Sequence, residues 1–196
     1  ARMNQKTVLV TSNFDNVGSL PCNTSIGGPA KGIIVREIDA LGGQMPKTAD
    51  KTYLQMKMLN TAKGPGVQSL RAQADKKVYP RYMQEVLKKQ ENLDIIEGMV
   101  EDLIVEDNCV KGVILDNGQT IEGRMVILTT GTYLKAEILC GDQKHASGPD
   151  QQKESKYLSE KLANLGMRIQ RLKTGTPPRV EINSVDYSKT SLQPGT

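Results

Sequence analysis

The chain has 196 residues, a length that suits one domain or slightly more. Hydrophobic residues make up 37% and charged residues 24%, so a buried core is expected and general disorder is excluded. The net charge of +4 permits an anionic partner, but it is far from that of a dedicated nucleic-acid-binding tail.

The cysteines and the single histidine limit the kinds of site that are possible. Cys22, Cys109 and Cys140 form no CxxC pair and cannot build a disulfide framework of their own. With only His145 beside them, no metal site is predicted. No apolar run approaches the ~20 residues of a membrane span. Reduced thiols in a cytoplasmic protein are the simplest interpretation.

The first third of the chain predicts a strand, a loop and a helix. Ala1–Met3 resembles the end of a helix that begins upstream. Thr7–Thr11 is apolar and β-branched, as in a buried parallel strand. Asn13–Gly28 is predicted as a long loop that holds Cys22. Lys31–Leu41 has apolar residues at helical spacing and is followed by a Gly-Gly stop.

The next segments predict a strand, a helix and a further strand. Leu54–Leu59 alternates apolar and polar residues and is predicted as a strand. Asn60–Gly66 is a loop, and Leu70–Gln90 is predicted as one helix. Leu93–Ile96 is an apolar strand.

An antiparallel meander follows, because alternating segments are separated by turn residues. The three segments are Met99–Val105, Val110–Leu115 and Gln119–Glu122. Arg124–Leu128 predicts a second buried parallel strand, which ends at Thr129-Thr130-Gly131.

The last part of the chain predicts a helix, a strand and a Gly/Pro loop. These are Ser155–Leu165, Met167–Leu172 and Thr174–Pro178, respectively. A domain boundary is expected near Thr132–Leu139, where the sheet pattern closes.

The predicted fold class is α/β, a parallel sheet with a β-meander as in FAD-binding Rossmann-like domains of the glutathione-reductase type. Small residues at Thr130 and Gly131 would let a flavin or pyrophosphate approach the backbone at the carboxyl edge of the sheet. The expected G-x-G-x-x-G does not follow the first strand. We therefore expect residues 1–134 to be an FAD-binding domain without its first strand and glycine loop. Residues 135–196 would start a second, inserted or NAD-type domain.

Several long motifs resemble the MnmG/GidA family, in order along all 196 residues. The longest is PCNTSIGGPAKG at Pro21–Gly32, and REIDALGG at Arg36–Gly43 follows it. The others are Lys63–Pro65, Leu70–Asp75, Val100–Leu103, Thr130–Thr132 and Arg171–Arg179. The resemblance implies an N-terminal part of a larger protein.

What the resemblance implies is an enzyme of tRNA modification. The parent protein would bind FAD, use NADH and act with the GTPase MnmE as a heterotetramer. Together they would add a carboxymethylaminomethyl or aminomethyl group to C5 of the wobble uridine of tRNA, with methylenetetrahydrofolate as the one-carbon donor. A homodimer is expected.

Two alternatives stay open. One is the related folate- and FAD-dependent tRNA methyltransferase, which acts on a T-loop uridine. The other is a non-catalytic structural module that no longer binds FAD.

Cys22 is the candidate catalytic residue. Its thiolate could add to C6 of the uracil ring and activate C5 for one-carbon chemistry, and a helix N-terminus near Pro29 would favour the thiolate. On the residues alone, a lone cysteine is more often a small packing residue. The family motif reverses that preference, because it places a functional cysteine here. Cys109 and Cys140 match no motif cysteine and are interpreted as structural.

Candidate FAD contacts next to this cysteine are Asn23, Gly27 and Gly28, and Asn23 could form a hydrogen bond to uracil instead. Loop capping and turn geometry are the plain alternatives for them. The family usually has Pro where this chain has Thr24, a departure that could loosen the loop.

The resemblance implies further FAD contacts at Val100 and Ser155, besides Thr130 and Gly131. Without it, Val100 would be a sheet-packing residue and Ser155 a helix N-cap.

Basic residues are candidates for contacts with tRNA phosphates. The segment from Lys161 to Arg179 carries no acidic residue, although a solvated face is the usual fate of such a run. Salt bridges are the alternatives elsewhere, to Asp39 from Arg36 and to Asp75 from Arg71. The predicted nucleic-acid contacts are Lys31, Arg36, Arg71, Arg171, Lys173 and Arg179.

Overall fold

The computed structural model describes residues 1–195. Two compact units divide the chain: Ala1–Phe14 with Glu91–Lys173, and Asp15–Gln90 with Thr174–Thr196. The elements in chain order are β1 (Thr7–Thr11), β2 (Ser25–Gly27), α1 (Lys31–Ala40), α2 (Gln44–Thr52), β3 (Tyr53–Leu59), β4 (Ser69–Ala74), α3 (Val78–Lys88), β5 (Leu93–Glu97), β6 (Val100–Glu106), β7 (Cys109–Leu115), β8 (Thr120–Glu122), β9 (Glu137–Cys140), β10 (Gln143–Ala146) and α4 (Leu158–Asn164).

The first unit contains a parallel strand pair and an antiparallel meander. β1 and β5 pair in parallel, with Leu9 opposite Ile95, and this confirms both predicted strands. β6, β7 and β8 form the predicted three-stranded meander. Asp107 and Asn108 connect β6 to β7 with φ of 48° and 59°, the left-handed conformation that a tight hairpin turn requires.

An ion pair connects α4 to this meander. Lys161 Nζ lies 2.7 Å from a carboxylate oxygen of Asp102 on β6. Burial pushes the pKa of Asp102 upward, but hydrogen bonds from Lys161 and from the Leu103 backbone outweigh it and hold that pKa below its usual value.

The second unit is built on an antiparallel sheet of order β2-β4-β3. Its core consists of Ile26, Ala49, Ala72, Ala74 and Tyr79, which are contributed by the sheet and by α2 and α3. Small side chains dominate this core, and Tyr79 is its one large ring, only 2% exposed. Burial also raises the pKa of that tyrosine.

The prediction of one helix over Leu70–Gln90 is wrong at its N-terminal end. Ser69–Ala74 is instead the central strand β4, whose backbone is paired on both sides. The helix starts only at Val78, after Asp75 Oδ1 accepts hydrogen bonds from the Lys77 and Val78 N–H groups. Those bonds satisfy donors that the first helical turn leaves unpaired.

Two predicted strands are also wrong. Arg124–Leu128 and Met167–Leu172 have no regular secondary structure. Met125 is 87% exposed and Ile127 is 84% exposed, so the apolar pattern has no burying partner among residues 1–195.

Other elements differ in extent or have no clear sequence pattern. The predicted loop Asn13–Gly28 contains β2, and the predicted helix Ser155–Leu165 begins at Leu158. The helix α2 and the hairpin β9–β10 have no counterpart among the sequence predictions. The proposed domain boundary after residue 134 stays a prediction. No helix within residues 1–195 is long and apolar enough to cross a membrane.

Candidate functional site

A cavity of about 600 Å³ in the second unit lies against Cys22. It is lined by the loop that precedes β2, by β4 and by the segment after Thr174. The cavity brings together four of the residues predicted from the sequence: Cys22, Asn23, Arg71 and Arg179. Lys76 adds a third basic side chain, and no carboxylate residue lines the cavity within the described part of the chain. Such a lining suits a polyanion.

The Cys22 loop is fixed to the segment that follows Thr174. Arg179 Nη2 donates a hydrogen bond to the Pro21 carbonyl oxygen at 3.0 Å. The half-buried Cys22 places its Sγ 3.9 Å from Thr174 Oγ1. The Gly/Pro loop predicted at Thr174–Pro178 is therefore an ordered wall beside the thiol.

The same loop is tied to β4. Asn23 Oδ1 accepts a hydrogen bond from the Ser25 N–H at 2.7 Å, which is the loop-capping role considered for it. The Thr24 carbonyl accepts from the Ala74 N–H at 2.9 Å. The Gln73 side-chain amide donates to Thr24 Oγ1 and accepts from Ser25 Oγ.

Gly27 ends β2 and Gly28 follows it, and the structure accommodates these two glycines for different reasons. Gly27 has φ of +114°, and an added Cβ would lie 2.3 Å from the Leu70 carbonyl oxygen, so this position requires glycine for packing. Gly28 has φ of +91°, and its Cβ would meet no atom within 4 Å. The open space beside Gly28 fits the close approach of a ligand.

Lys31, one of the predicted phosphate contacts, is bonded within the chain. Its Nζ donates a hydrogen bond to the Ser25 carbonyl oxygen at 3.0 Å.

The first unit places Val100 at a sheet edge. The Asp116 N–H donates to the Met99 carbonyl, and the Leu115 N–H donates to the Gln119 carbonyl. Val100 and Leu115 are opposed, so they form a non-hydrogen-bonded pair, and the N–H and C=O of Val100 point away from β7. Because β6 is the outer strand of its sheet, these groups face the open edge. The alternation of apolar and polar residues in the sequence does not reveal this outward orientation of the Val100 backbone groups.

The other predicted cofactor residues of the first unit lie in a turn, at Thr130 and Gly131, and just before α4, at Ser155. Gly131 has φ of +59° and follows Thr130 in a turn. The alternative of a helix N-cap at Ser155 does not hold, because α4 begins three residues later and its N-cap is Tyr157. The Ser155 backbone instead bonds to the Tyr133 carbonyl and the Lys135 N–H, at 3.0 and 2.7 Å. These backbone groups are engaged, and Ser155 as a whole is only 6% exposed.

The predicted phosphate contacts differ in their surroundings, and Arg171 is bonded within the chain. Arg171 Nη1 lies 3.2 Å from the Lys135 carbonyl oxygen and 3.4 Å from a Glu137 carboxylate oxygen. Lys173 is exposed. Arg36 lies beside a smaller cavity of about 90 Å³ along α1. The alternative salt bridge from Arg71 to Asp75 is wrong, because a strand does not bring i and i+4 together as a helix does.

Comparison with known proteins gives a match along the whole chain. The family model described as Glucose inhibited division protein A matches residues 1–196. The chain is 57% identical over 195 residues to the tRNA uridine 5-carboxymethylaminomethyl modification enzyme MnmG of Geobacillus kaustophilus, and 55% identical to that of Acholeplasma laidlawii. These alignments cover 100% of this chain and 31% and 32% of the relatives.

Solved structures agree with this match. The GidA structure from Aquifex aeolicus has a TM-score of 0.92 and 46% identity, and it covers 100% of this chain and 32% of that one. A GidA-related protein from Thermus thermophilus, at 17% identity and a TM-score of 0.54, is similar in fold alone. The chain thus spans about a third of the length of the relatives it matches, and the α/β fold class is confirmed.

Proposed function

Because the chain belongs to the GidA family, we propose that it acts in tRNA modification, as part of a larger flavin-dependent enzyme. The reaction would add a carboxymethylaminomethyl or aminomethyl group to C5 of the wobble uridine. The observation that carries this proposal is the basic cavity against Cys22. The activity named for the MnmG relatives supports the choice of reaction.

Cys22 is the proposed nucleophile in this cavity. Its thiolate would form a bond to C6 of the uracil ring, and the electron pair of the C5–C6 double bond would move towards the C4 carbonyl. C5 then becomes the carbon that attacks the one-carbon unit. Loss of the C5 proton and of the folate nitrogen would leave an exocyclic methylene on C5, and an amine would add to that carbon. Departure of the Cys22 thiolate would then restore the C5–C6 double bond.

The basic walls of the cavity would hold the RNA. Arg71 lies on β4 and Lys76 follows that strand, and both line the cavity. Their side chains would attract the phosphates on either side of the uridine. Arg179 would do the same from the opposite wall while its Nη2 holds the Pro21 carbonyl. Lys31, Arg36, Arg171 and Lys173 remain proposed contacts for the rest of the tRNA.

FAD is the proposed cofactor, and the donor groups of this chain fit it. The outward N–H and C=O of Val100 form a pair that suits the edge of an adenine ring. Thr130, Gly131 and the Ser155 side chain would add contacts in the first unit. In the second unit, the proposed contacts are Asn23, Gly27 and the open position at Gly28. When bound, FAD supplies hydride transfer.

The remaining components are proposed from the family resemblance. NADH would reduce the flavin, and methylenetetrahydrofolate would provide the carbon. The GTPase MnmE would be the partner of a homodimeric enzyme that works in the cytoplasm.

The test is nucleoside mass spectrometry of tRNA from a strain that lacks the gene. We expect loss of the C5-modified wobble uridine, with T-loop methylation unchanged. Loss of T-loop methylation with an intact wobble uridine would refute the proposal in favour of the methyltransferase alternative.

A further inference from the structure

The side-chain amide of Gln73 occupies a specific place between β4 and the Cys22 loop. Nε2 donates to Thr24 Oγ1, and Oε1 accepts from Ser25 Oγ at 2.7 Å. Thr24 and Ser25 are the second and third residues after Cys22. One amide therefore binds two neighbouring hydroxyl groups of the loop that carries the thiol.

Gln73 itself is rigidly placed. Its strand is the centre of the sheet, and Gln73 is opposed by Ser25 on one side and by Gln55 on the other. The residue is half-buried and also lines the cavity. A group on a central strand is a better anchor for a reactive loop than a group on another loop.

We propose that Gln73 is a positioning residue for Cys22, because its amide fixes the loop that presents the thiol to the cavity. Its consequence for activity rests on the proposed role of Cys22. Base recognition by the same amide is less suited to the geometry, since its oxygen and one N–H group are already bound within the chain.

The effect of Gln73 on the Cys22 loop can be measured as the labelling rate of the Cys22 thiol, without any tRNA reaction. Each cysteine falls on its own tryptic peptide: residues 7–31 carry Cys22, residues 90–111 carry Cys109 and residues 136–144 carry Cys140. Competitive iodoacetamide labelling of the whole protein, followed by mass spectrometry, gives three rates from one sample. Cys109 and Cys140 are exposed and serve as internal references.

Gln73→Leu removes the amide and keeps an apolar body of similar size. We expect the ratio of Cys22 labelling to the reference rates to rise at least about fivefold, because the two hydrogen bonds between this amide and the loop are lost and the loss of one net hydrogen bond alone corresponds to about fivefold. Gln68→Leu is the matched control, because the Gln68 amide donates to the Lys63 carbonyl outside this cavity. An unchanged ratio in Gln73→Leu would overturn the proposal.

Two further measurements separate positioning from a fold defect. Thr24→Val removes only one of the two bonds and should raise the ratio less than Gln73→Leu does. The double variant should exceed Gln73→Leu by no more than about twofold, since Gln73→Leu already removes the bond to Thr24. In tRNA modification, Gln73→Leu should lower kcat with little change in KM, and Gln73→Glu should restore part of kcat. Additive labelling effects, or an unchanged kcat, would contradict positioning. Full activity of Cys22→Ser would instead refute the nucleophile while leaving the labelling result intact.

Discussion

Arg179 donates a hydrogen bond from Nη2 to the carbonyl oxygen of Pro21, at 3.0 Å. Pro21 directly precedes Cys22, so the guanidinium holds the N-terminal side of the reactive loop. Gln73 holds its C-terminal side through Thr24 and Ser25. The cysteine loop is thus anchored at both ends, and Arg179 has a structural task besides any contact with RNA.

The first prediction follows from this anchor. Arg179→Ala should raise the Cys22 labelling rate about threefold to fivefold, because one net hydrogen bond of the loop is lost. Arg171→Ala removes an arginine that is bonded to Lys135 and Glu137 instead, and it should leave the rate unchanged. Equal labelling in both variants would show that the Pro21 bond does not restrain the loop.

The second prediction concerns Val100 and flavin. If FAD is bound by the outward backbone of Val100, Val100→Pro should lose flavin, because proline has no N–H. Val100→Ala keeps that group and should retain flavin. The β6–β7 pairing does not use this N–H, so the proline should be tolerated at the sheet edge. Flavin absorbance per mole of the whole protein is the measurement, and full flavin in Val100→Pro would contradict the contact.

The third prediction compares the two glycines at the end of β2, Gly27 and Gly28. Gly28→Ala should lower the free energy of unfolding by about 1 kcal/mol, the cost of a positive φ without a clash. Gly27→Ala should cost about 3 kcal/mol, because its Cβ also meets the Leu70 carbonyl oxygen. Urea unfolding of the two variants measures both losses of unfolding free energy. A smaller loss for Gly27→Ala than for Gly28→Ala would contradict the packing argument.

The fourth prediction is a pH dependence at the start of α3. Hydrogen bonds from the Val78 and Lys77 N–H groups lower the pKa of Asp75 below its ordinary value of 3.8. The stabilisation by this carboxylate is therefore fully present above pH 3.8, and it is lost as the pH falls through the lower folded-state value. Asp75→Asn should be less stable than the unchanged protein at neutral pH, and the difference should disappear in strong acid. A difference in unfolding free energy that is constant with pH would contradict this assignment.

The sequence predicted the elements whose burial pattern is local. The strand Thr7–Thr11, the helix from Lys31 and the meander after Val100 agree with the structure, because their periodicity or their turn residues suffice. The helix predicted over Leu70–Gln90 failed because LRAQA pairs with two strands that are distant in sequence. The apolar residues of Arg124–Leu128 gave a strand pattern, but a strand also needs a pairing partner.

The candidate site was predictable in part. The motif at Pro21–Gly32 identified Cys22 and Asn23, and the structure places Arg71 and Arg179 at the same cavity. Gln73 had no local pattern, because its importance depends on the register of β4 with β2. The second role of Arg179 likewise depends on a contact between positions far apart in sequence.

The most direct test of the account is Cys22→Ser in the whole protein, with the wobble-uridine nucleosides measured by mass spectrometry in a strain that has no other copy. A serine hydroxyl is a far weaker nucleophile than a thiolate. We therefore predict loss of the C5-modified wobble uridine with flavin content unchanged, whereas Cys109→Ser and Cys140→Ser should keep it. Normal modification by Cys22→Ser would contradict the central claim that this thiol attacks the uracil ring.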